Sequence, residues 1–236
     1  MKIATWNVER LKHQNSLDKI LSAIDDAQAD ILVLTETDER IKPHYRYGSH
    51  TPKLRDAPSD YHMPGRYKNH LVSDFYKPTE NRVSIYTNYP CVKQYETYDQ
   101  YTAICVELET EVGNLLVYGT IIGILGNRDE SFKQDLLLQA KDYERISKAG
   151  NICICGDFNC SFADNYYFTN FGRDTLSASF AHNNISLLTE NQPECIDHIA
   201  VSKDFAGDSK VNISEWNLDK SLSDHKGVIV EICFPE

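Results

Sequence analysis

Ile152-Cys153-Ile154-Cys155-Gly156-Asp157-Phe158-Asn159 is the stretch on which the reading of this chain turns. Four apolar residues of strand type run directly into a carboxylate and an amide. A buried strand that ends this way sets polar side chains at the rim of a sheet, where rigid elements hold them and loops admit a ligand. The pattern recurs along the chain. Asn7 and Glu9 follow the apolar run from Ile3, and Glu36 follows Ile31 to Leu34. Asp197-His198 opens the run Ile196 to Val201, and Ser223-Asp224-His225 precedes Val228 to Phe234. Taken singly, Asp-Phe-Asn is a turn and Ser-Asp-His a helix cap. Together they predict one rim that collects acids, amides and imidazoles.

Strand-like runs also occur at Val83 to Thr87, Ala103 to Leu108, Leu115 to Ile122 and Val211 to Trp216. Leu17, Ile20, Leu21, Ile24 and Ala27 recur at helical spacing behind the candidate caps Asn15 and Ser16. Phe132 to Ile146 carries a second apolar face, and Asp174 to His182 is a third candidate helix. Many strands with helices set between some of them predict a mixed α/β or α+β fold in a single domain over residues 1–236. Periodicity goes no further.

The 236 residues are 41% hydrophobic and 25% charged, enough apolar material for a sizeable core, which excludes disorder and a disulfide-stapled miniprotein. No apolar run approaches the roughly 20 residues that span a bilayer. Met1 to Asn7 reads straight into a strand without a signal peptide's apolar centre. Seven cysteines, an odd number without zinc-knuckle spacing, point to buried thiols and a cytoplasmic location.

The net charge of −11 disfavours a broad basic face for nucleic acid. Between His44 and Arg82, however, seven basic residues stand against four acids. That stretch is +3, and the rest of the chain −14. It holds Arg66 and Lys68 among Tyr61, Tyr67, Phe75 and Tyr76. Cations interleaved with aromatics are suited to phosphate contact and base stacking. The bland alternative is a solvated loop, and Pro43, Pro52, Pro58, Pro64 and Pro78 argue against regular structure there.

Trp6-Asn7-Val8-Glu9, Thr35-Glu36-Thr37, Gly156-Asp157-Phe158-Asn159, Ile196-Asp197-His198-Ile199 and Ser223-Asp224-His225 occur in the order seen in the endonuclease/exonuclease/phosphatase superfamily. The chain resembles that superfamily over nearly its whole length. Its Trp-Asn-Val-Glu-x-Leu start resembles the exonuclease III and apurinic endonuclease branch. The resemblance implies a four-layered sandwich, with two central mixed β-sheets packed face to face and helices outside. It also implies hydrolysis of phosphate esters with Mg²⁺ or Mn²⁺, most simply as a nuclease acting on DNA or RNA. The alternatives are a phosphatase or phosphodiesterase for a nucleotide, inositol phosphate or lipid headgroup, and a weakly active binding module on the same scaffold.

By the same resemblance Glu36 is the principal metal ligand, with Asn7 beside it, Asp224 nearby and Glu9 one step back. Asp157 orients or deprotonates the attacking water, and Asn159 holds the phosphate. His225 donates to a phosphoryl oxygen, with Asp197 fixing its tautomer. His198, next to Asp197 on a strand, faces the other way and is structural. One departure stands out. Where many members carry a His or Tyr near the leaving group, this chain has Thr120 and Ile121. A metal-bound water, Tyr118, Arg128 or Lys133 is the candidate substitute, with weak activity as the remaining alternative, and Arg66, Lys68, Tyr118 and Arg128 are the candidate substrate contacts.

Overall fold

The computed structural model describes residues 1–57, 77–123, 128 and 130–235. The first half runs β1 (Lys2–Asn7), α1 (Leu17–Ala27), β2 (Ile31–Asp38), β3 (Tyr47–His50), β4 (Glu80–Thr87), β5 (Cys91–Tyr95), β6 (Ala103–Thr110) and β7 (Gly113–Ile121). The second half runs α2 (Glu130–Ser147), β8 (Ile152–Asp157), α3 (Asn170–His182), β9 (Ile185–Leu187), β10 (Asp197–Ser202), α4 (Lys203–Ala206), β11 (Lys210–Trp216) and β12 (Gly227–Cys233). Two six-stranded sheets result, ordered β11-β12-β1-β2-β4-β3 and β5-β6-β7-β8-β10-β9. Both are mixed: β1 and β2 are parallel, as are β7 and β8, and the other pairs are antiparallel.

Strand alternation builds the layers. Ile3, Val33, Val117, Cys153, Cys155, Ile199 and Val230 point between the sheets into one shared core. Their neighbours point outward. Ala4, Trp6, Leu32 and Leu34 meet Ile20 and Ile24 of α1. Leu116, Tyr118, Ile152 and Ile154 meet Phe132, Leu136, Tyr143, Leu176 and Phe180 of α2 and α3. Helix, sheet, sheet, helix is the expected four-layered sandwich. Each buried Val, Leu, Ile or Phe contributes about 1.5–3 kcal/mol, so the doubly covered strands carry most of the fold's hydrophobic stabilisation.

Several local expectations shift. The helix expected from Asp174 begins at Asn170, because the Thr169 hydroxyl accepts the Gly172 N–H at 3.0 Å and caps it. Ser16 makes no side-chain cap on α1. Tyr47–His50, inside the proline-marked basic stretch, is a strand on the edge of β4, and Cys91–Tyr95 is an exposed edge strand with no apolar signal. Glu36 lies within β2 rather than after it.

Gly156 fixes the end of β8. Its φ is +141°, and a Cβ there would come 2.0 Å from the Thr120 carbonyl oxygen on the paired strand. Gly156→Ala is therefore expected to destabilise the protein by about 2–3 kcal/mol in urea unfolding. A loss under about 1 kcal/mol would show that the β7–β8 contact yields.

Candidate active site

The strand faces that build the inter-sheet core also build the site. Asn7 is two residues beyond Thr5 and four beyond Ile3; Asp157 is two beyond Cys155; Asp197 is two before Ile199. All three therefore continue inward-facing rows at the rim where these strands end. Asp157 and Asp197 are register partners on β8 and β10. Asn7 reaches them from the other sheet, its Nδ2 donating to Asp157 Oδ2 at 3.1 Å. All three side chains are buried.

Asp157 is further held by Asn159, whose backbone N–H donates to Oδ1 at 2.8 Å. The Asn159 Nδ2 donates to the Ile122 carbonyl at 2.8 Å and lies 3.5 Å from Asp157 Oδ2. Burial pushes the Asp157 carboxyl up to about 7. His225 opposes that rise, the Asp197 and Glu36 charges add to it, and the Asn159 amide opposes it. A carboxyl poised near neutrality can take a proton and release it.

His225 Nδ1 lies 2.6 Å from Asp197 Oδ2, which accepts its proton. Burial works against the imidazolium, but the Asp197 charge and hydrogen bond, with Asp157 and Asp224, raise it to about 10. The ring is cationic at neutral pH, with Nε2–H directed to the Asp224 side at 3.6 Å. Its loop is tied down from three places. The Ser223 hydroxyl donates to the Asn7 carbonyl at 2.6 Å. Trp6 Nε1 donates to the His225 carbonyl at 3.1 Å. Asn217 Nδ2 donates to the Ser223 and His225 carbonyls at 2.8 and 2.7 Å. Asn217 escaped the sequence reading because nothing local marks a side chain that serves a loop six residues on.

Glu36 adopts φ +46° inside β2, a conformation costly for a residue with a side chain and common at functional sites. Its Oε2 pairs with Arg10 Nε at 3.0 Å. Glu9 accepts the Asp224 N–H at 3.2 Å. Burial raises the Glu9 carboxyl, yet Lys12, that amide and His13 outweigh it and hold it low. Asp224 is raised, first by burial and then by the charges of Glu9 and Glu36, against the pull of His225. Crowded carboxylates of this kind call for a cation. The oxygens of Glu36, Asp224 and Asn7 are hard donors that fit Mg²⁺ or Mn²⁺. Among the described residues no three His, Cys, Asp or Glu side chains close into a cage.

A cleft of about 360 Å³ opens beside His225, with Asn159, Tyr166, Tyr167, Lys220 and Lys226 in its walls. Tyr118 does not join it. Its ring is fully buried on the α2 side, edge-on to Tyr143, and its hydroxyl donates to Asp142 at 3.1 Å. Thr120 likewise turns to α2 and donates to Gln139 at 2.6 Å, while Ile121 lies in the inter-sheet core. The alternation that serves Asp157 turns Tyr118 and Thr120 the other way. Lys133 pairs with Glu130 at 2.6 Å and Arg128 is exposed. Arg66 and Lys68 lie outside the described residues.

His198 is buried on the opposite face of β10 from Asp197. Its Nε2 donates to the Cys160 carbonyl at 2.9 Å, so Nδ1 accepts from Thr189 at 2.8 Å. Burial lowers it to about 4, leaving a neutral structural imidazole. All seven cysteines are free thiols, and burial raises Cys160 to about 11. No helix among the described residues is long and apolar enough to cross a membrane.

The fold is shared with solved structures at low sequence identity. The 3'-5' exonuclease NExo from Neisseria meningitidis superposes with TM-score 0.68 at 18% identity, covering 99% of this chain and 100% of that one. A variant of NExo from Neisseria, described as a 3' phosphatase bound to product DNA hairpin, gives 0.66 at 18%, over 99% and 100%. An AP endonuclease from Archaeoglobus fulgidus gives 0.66 at 14%, over 98% and 99%. No curated protein sequence matches. The family profile for the Endonuclease/Exonuclease/phosphatase family matches residues 4–225, from within β1 to His225. With that match over nearly the whole chain, the protein belongs to the Endonuclease/Exonuclease/phosphatase family of phosphoester hydrolases.

Proposed function

We infer that this protein is a divalent-metal-dependent phosphodiesterase that cleaves nucleic acid by attack of water on phosphorus. The observation that carries the reading is the junction of the two sheets, where Asn7 bonds Asp157 beside the Asp197–His225 pair. In this reading Asp157 takes the proton of the attacking water, near the pH at which its carboxyl titrates. Asn7 and Asn159 hold it in place, Asn159 through its backbone N–H and its side-chain amide. His225, kept cationic by Asp197, donates from Nε2 to an oxygen of the phosphate. Glu36, with Asp224 and Asn7, would hold Mg²⁺ or Mn²⁺, which supplies charge compensation and orientation at the phosphoryl group. Tyr166 and Lys220, in contact at 2.7 Å, offer a flat ring and a cation in the wall of the cleft. That pairing favours a strand of nucleotides over a bare phosphate ester. NExo bound to product DNA hairpin makes DNA the first substrate to try.

The test is a panel of plasmid, single-stranded DNA, RNA, abasic duplex, nucleotides and inositol phosphates, with Mg²⁺, Mn²⁺ or EDTA. Metal-dependent cleavage of at least one polynucleotide, abolished by EDTA, is the expected result. Turnover confined to small esters, or cleavage that survives EDTA, would overturn the reading.

A further inference from the structure

The Ile122–Gly123 peptide, just past the end of β7, is held at both of its polar groups. Its carbonyl accepts from Asn159 Nδ2 at 2.8 Å, and its N–H donates to Asp135 Oδ2 of α2. The N–H of Ile122 itself donates to the Asp157 carbonyl at 2.9 Å. A peptide unit is planar, so the two grips fix one another: turning the oxygen from Asn159 also pulls the N–H off Asp135. Gly123 permits the approach to α2. Its φ is +59°, and a Cβ there would meet Phe132 Cδ2 at 2.1 Å.

Asp135 is a buried acid that the proton chemistry of the site does not use. It is 8% exposed, and its hydrogen-bond partners are neutral: the Gly123 N–H, and Gln139, whose Nε2 lies 3.4 Å from Oδ1. Burial pushes its carboxyl up to about 7, against the pull of those two bonds. Burying a carboxylate among neutral partners costs stability, so its presence calls for another reason. Gln139, one turn further along α2, stiffens the support. Its Oε1 accepts the Thr120 and Tyr143 hydroxyls at 2.6 and 2.9 Å, and its Nε2 lies 3.4 Å from the Ile121 carbonyl.

We propose that Asp135 is a positioning residue for hydrolysis: through the Ile122–Gly123 peptide it holds the Asn159 side chain, and through Asn159 the Asp157 carboxylate. This rests on the reading of Asp157 as the base that takes the proton of water. The path is continuous. Asp135 accepts from the peptide, the peptide accepts from Asn159, and Asn159 lies 3.5 Å from Asp157 Oδ2 with its backbone N–H on Oδ1 at 2.8 Å. An acceptor on the peptide N–H polarises the unit and makes its oxygen a stronger acceptor for Asn159.

The experiment compares wild type, Asp135→Asn, Asp135→Ala, Asn159→Ala and the double variant Asp135→Asn with Asn159→Ala. The first readout needs no substrate. It is the Asn159 side-chain amide pair in the ¹⁵N–¹H correlation spectrum of metal-free protein, assigned by its loss in Asn159→Ala. Asp135→Ala should shift that pair and speed its exchange with water about three- to tenfold. Asp135→Asn keeps the volume and one acceptor oxygen, which guards against a folding failure, and should give a smaller change of the same sign. The second readout is kinetic, with the polynucleotide cleaved in the panel above. There kcat should fall about 30- to 100-fold in Asp135→Ala and about three- to tenfold in Asp135→Asn, with KM within about twofold of wild type. On the Asn159→Ala background, Asp135→Asn should cost nothing further. An Asn159 amide pair that is the same in wild type and both Asp135 variants overturns the proposal, whatever the protein hydrolyses. Losses that multiply in the double variant overturn it as well, because Asp135 then acts by another route. A shifted pair with kcat unchanged overturns its catalytic half. Full kcat in Asp157→Asn overturns the reading of Asp157 instead, and leaves the link from Asp135 to Asn159 standing.

Discussion

Asp157→Asn is expected to lower kcat about 10³- to 10⁴-fold with every substrate the protein turns over, as loss of a positioned general base does. The same substitution should change stability in a pH-dependent way, and the sign follows from the burial of Asp157. Its carboxyl is raised from 3.8 to about 7 in the folded protein. The stability that accompanies the neutral form is fully present below pH 3.8 and is lost as the pH rises through about 7. Asparagine does not titrate. The stability of Asp157→Asn relative to wild type should therefore increase between about pH 5 and pH 8, by about 2–4 kcal/mol. Thermal denaturation at the two pH values measures it, and parallel pH dependences for the two proteins would refute the account of Asp157. In wild type, kcat/KM should rise with pH through about 7 as the base ionises.

Asp197→Asn is the second large perturbation. Asp197 is 2% exposed and its carboxylate accounts for most of what raises His225 to about 10. The pair contributes stability that is complete below pH 6.5 and lost as the pH rises through about 10. Removing one charge of a buried pair costs about 3 kcal/mol, and that loss should be seen at about pH 6 and shrink above about pH 10. Without the carboxylate His225 loses its proton closer to neutrality, so the alkaline limb of the rate profile should move to lower pH. The maximal rate should fall about 10²- to 10³-fold as the phosphate loses a cationic donor. An alkaline limb that stays where it was in wild type would mean that another group sets it. Glutamate at 197 should restore the limb in part if the charge, not the shape, is what matters.

Both predictions concern residues that the chain announces in its own strand pattern. Asp157 and Asp197 stand at the ends of apolar runs read as buried strands, and the observed register places them opposite each other. Asn7 is legible for the same reason. Tyr118 shows the limit of reading by neighbourhood: it lies two residues before Thr120 on β7, yet parity sends both to the helix layer. Parity was available in the sequence; knowing which parity faces the site was not, because that requires the pairing of β7 with β8. Arg10 carried no signal, since an arginine three residues after a strand is ordinarily a solvated surface residue.

The amino-acid sequence by itself determined the class of fold, the strands that are buried on both faces, and the oxygen-rich residues at their ends. Hydrophobic period and strand-terminal chemistry are local properties, written within a few residues of one another. Tertiary structure alone decided that Arg10 meets Glu36 across the mouth of the site, that Asn217 and Trp6 anchor the His225 loop, and that Asp157 is buried enough to titrate near neutrality. Those facts depend on the distance between groups brought together by packing two sheets, and on the water that packing excludes. Neither quantity exists until the chain has folded.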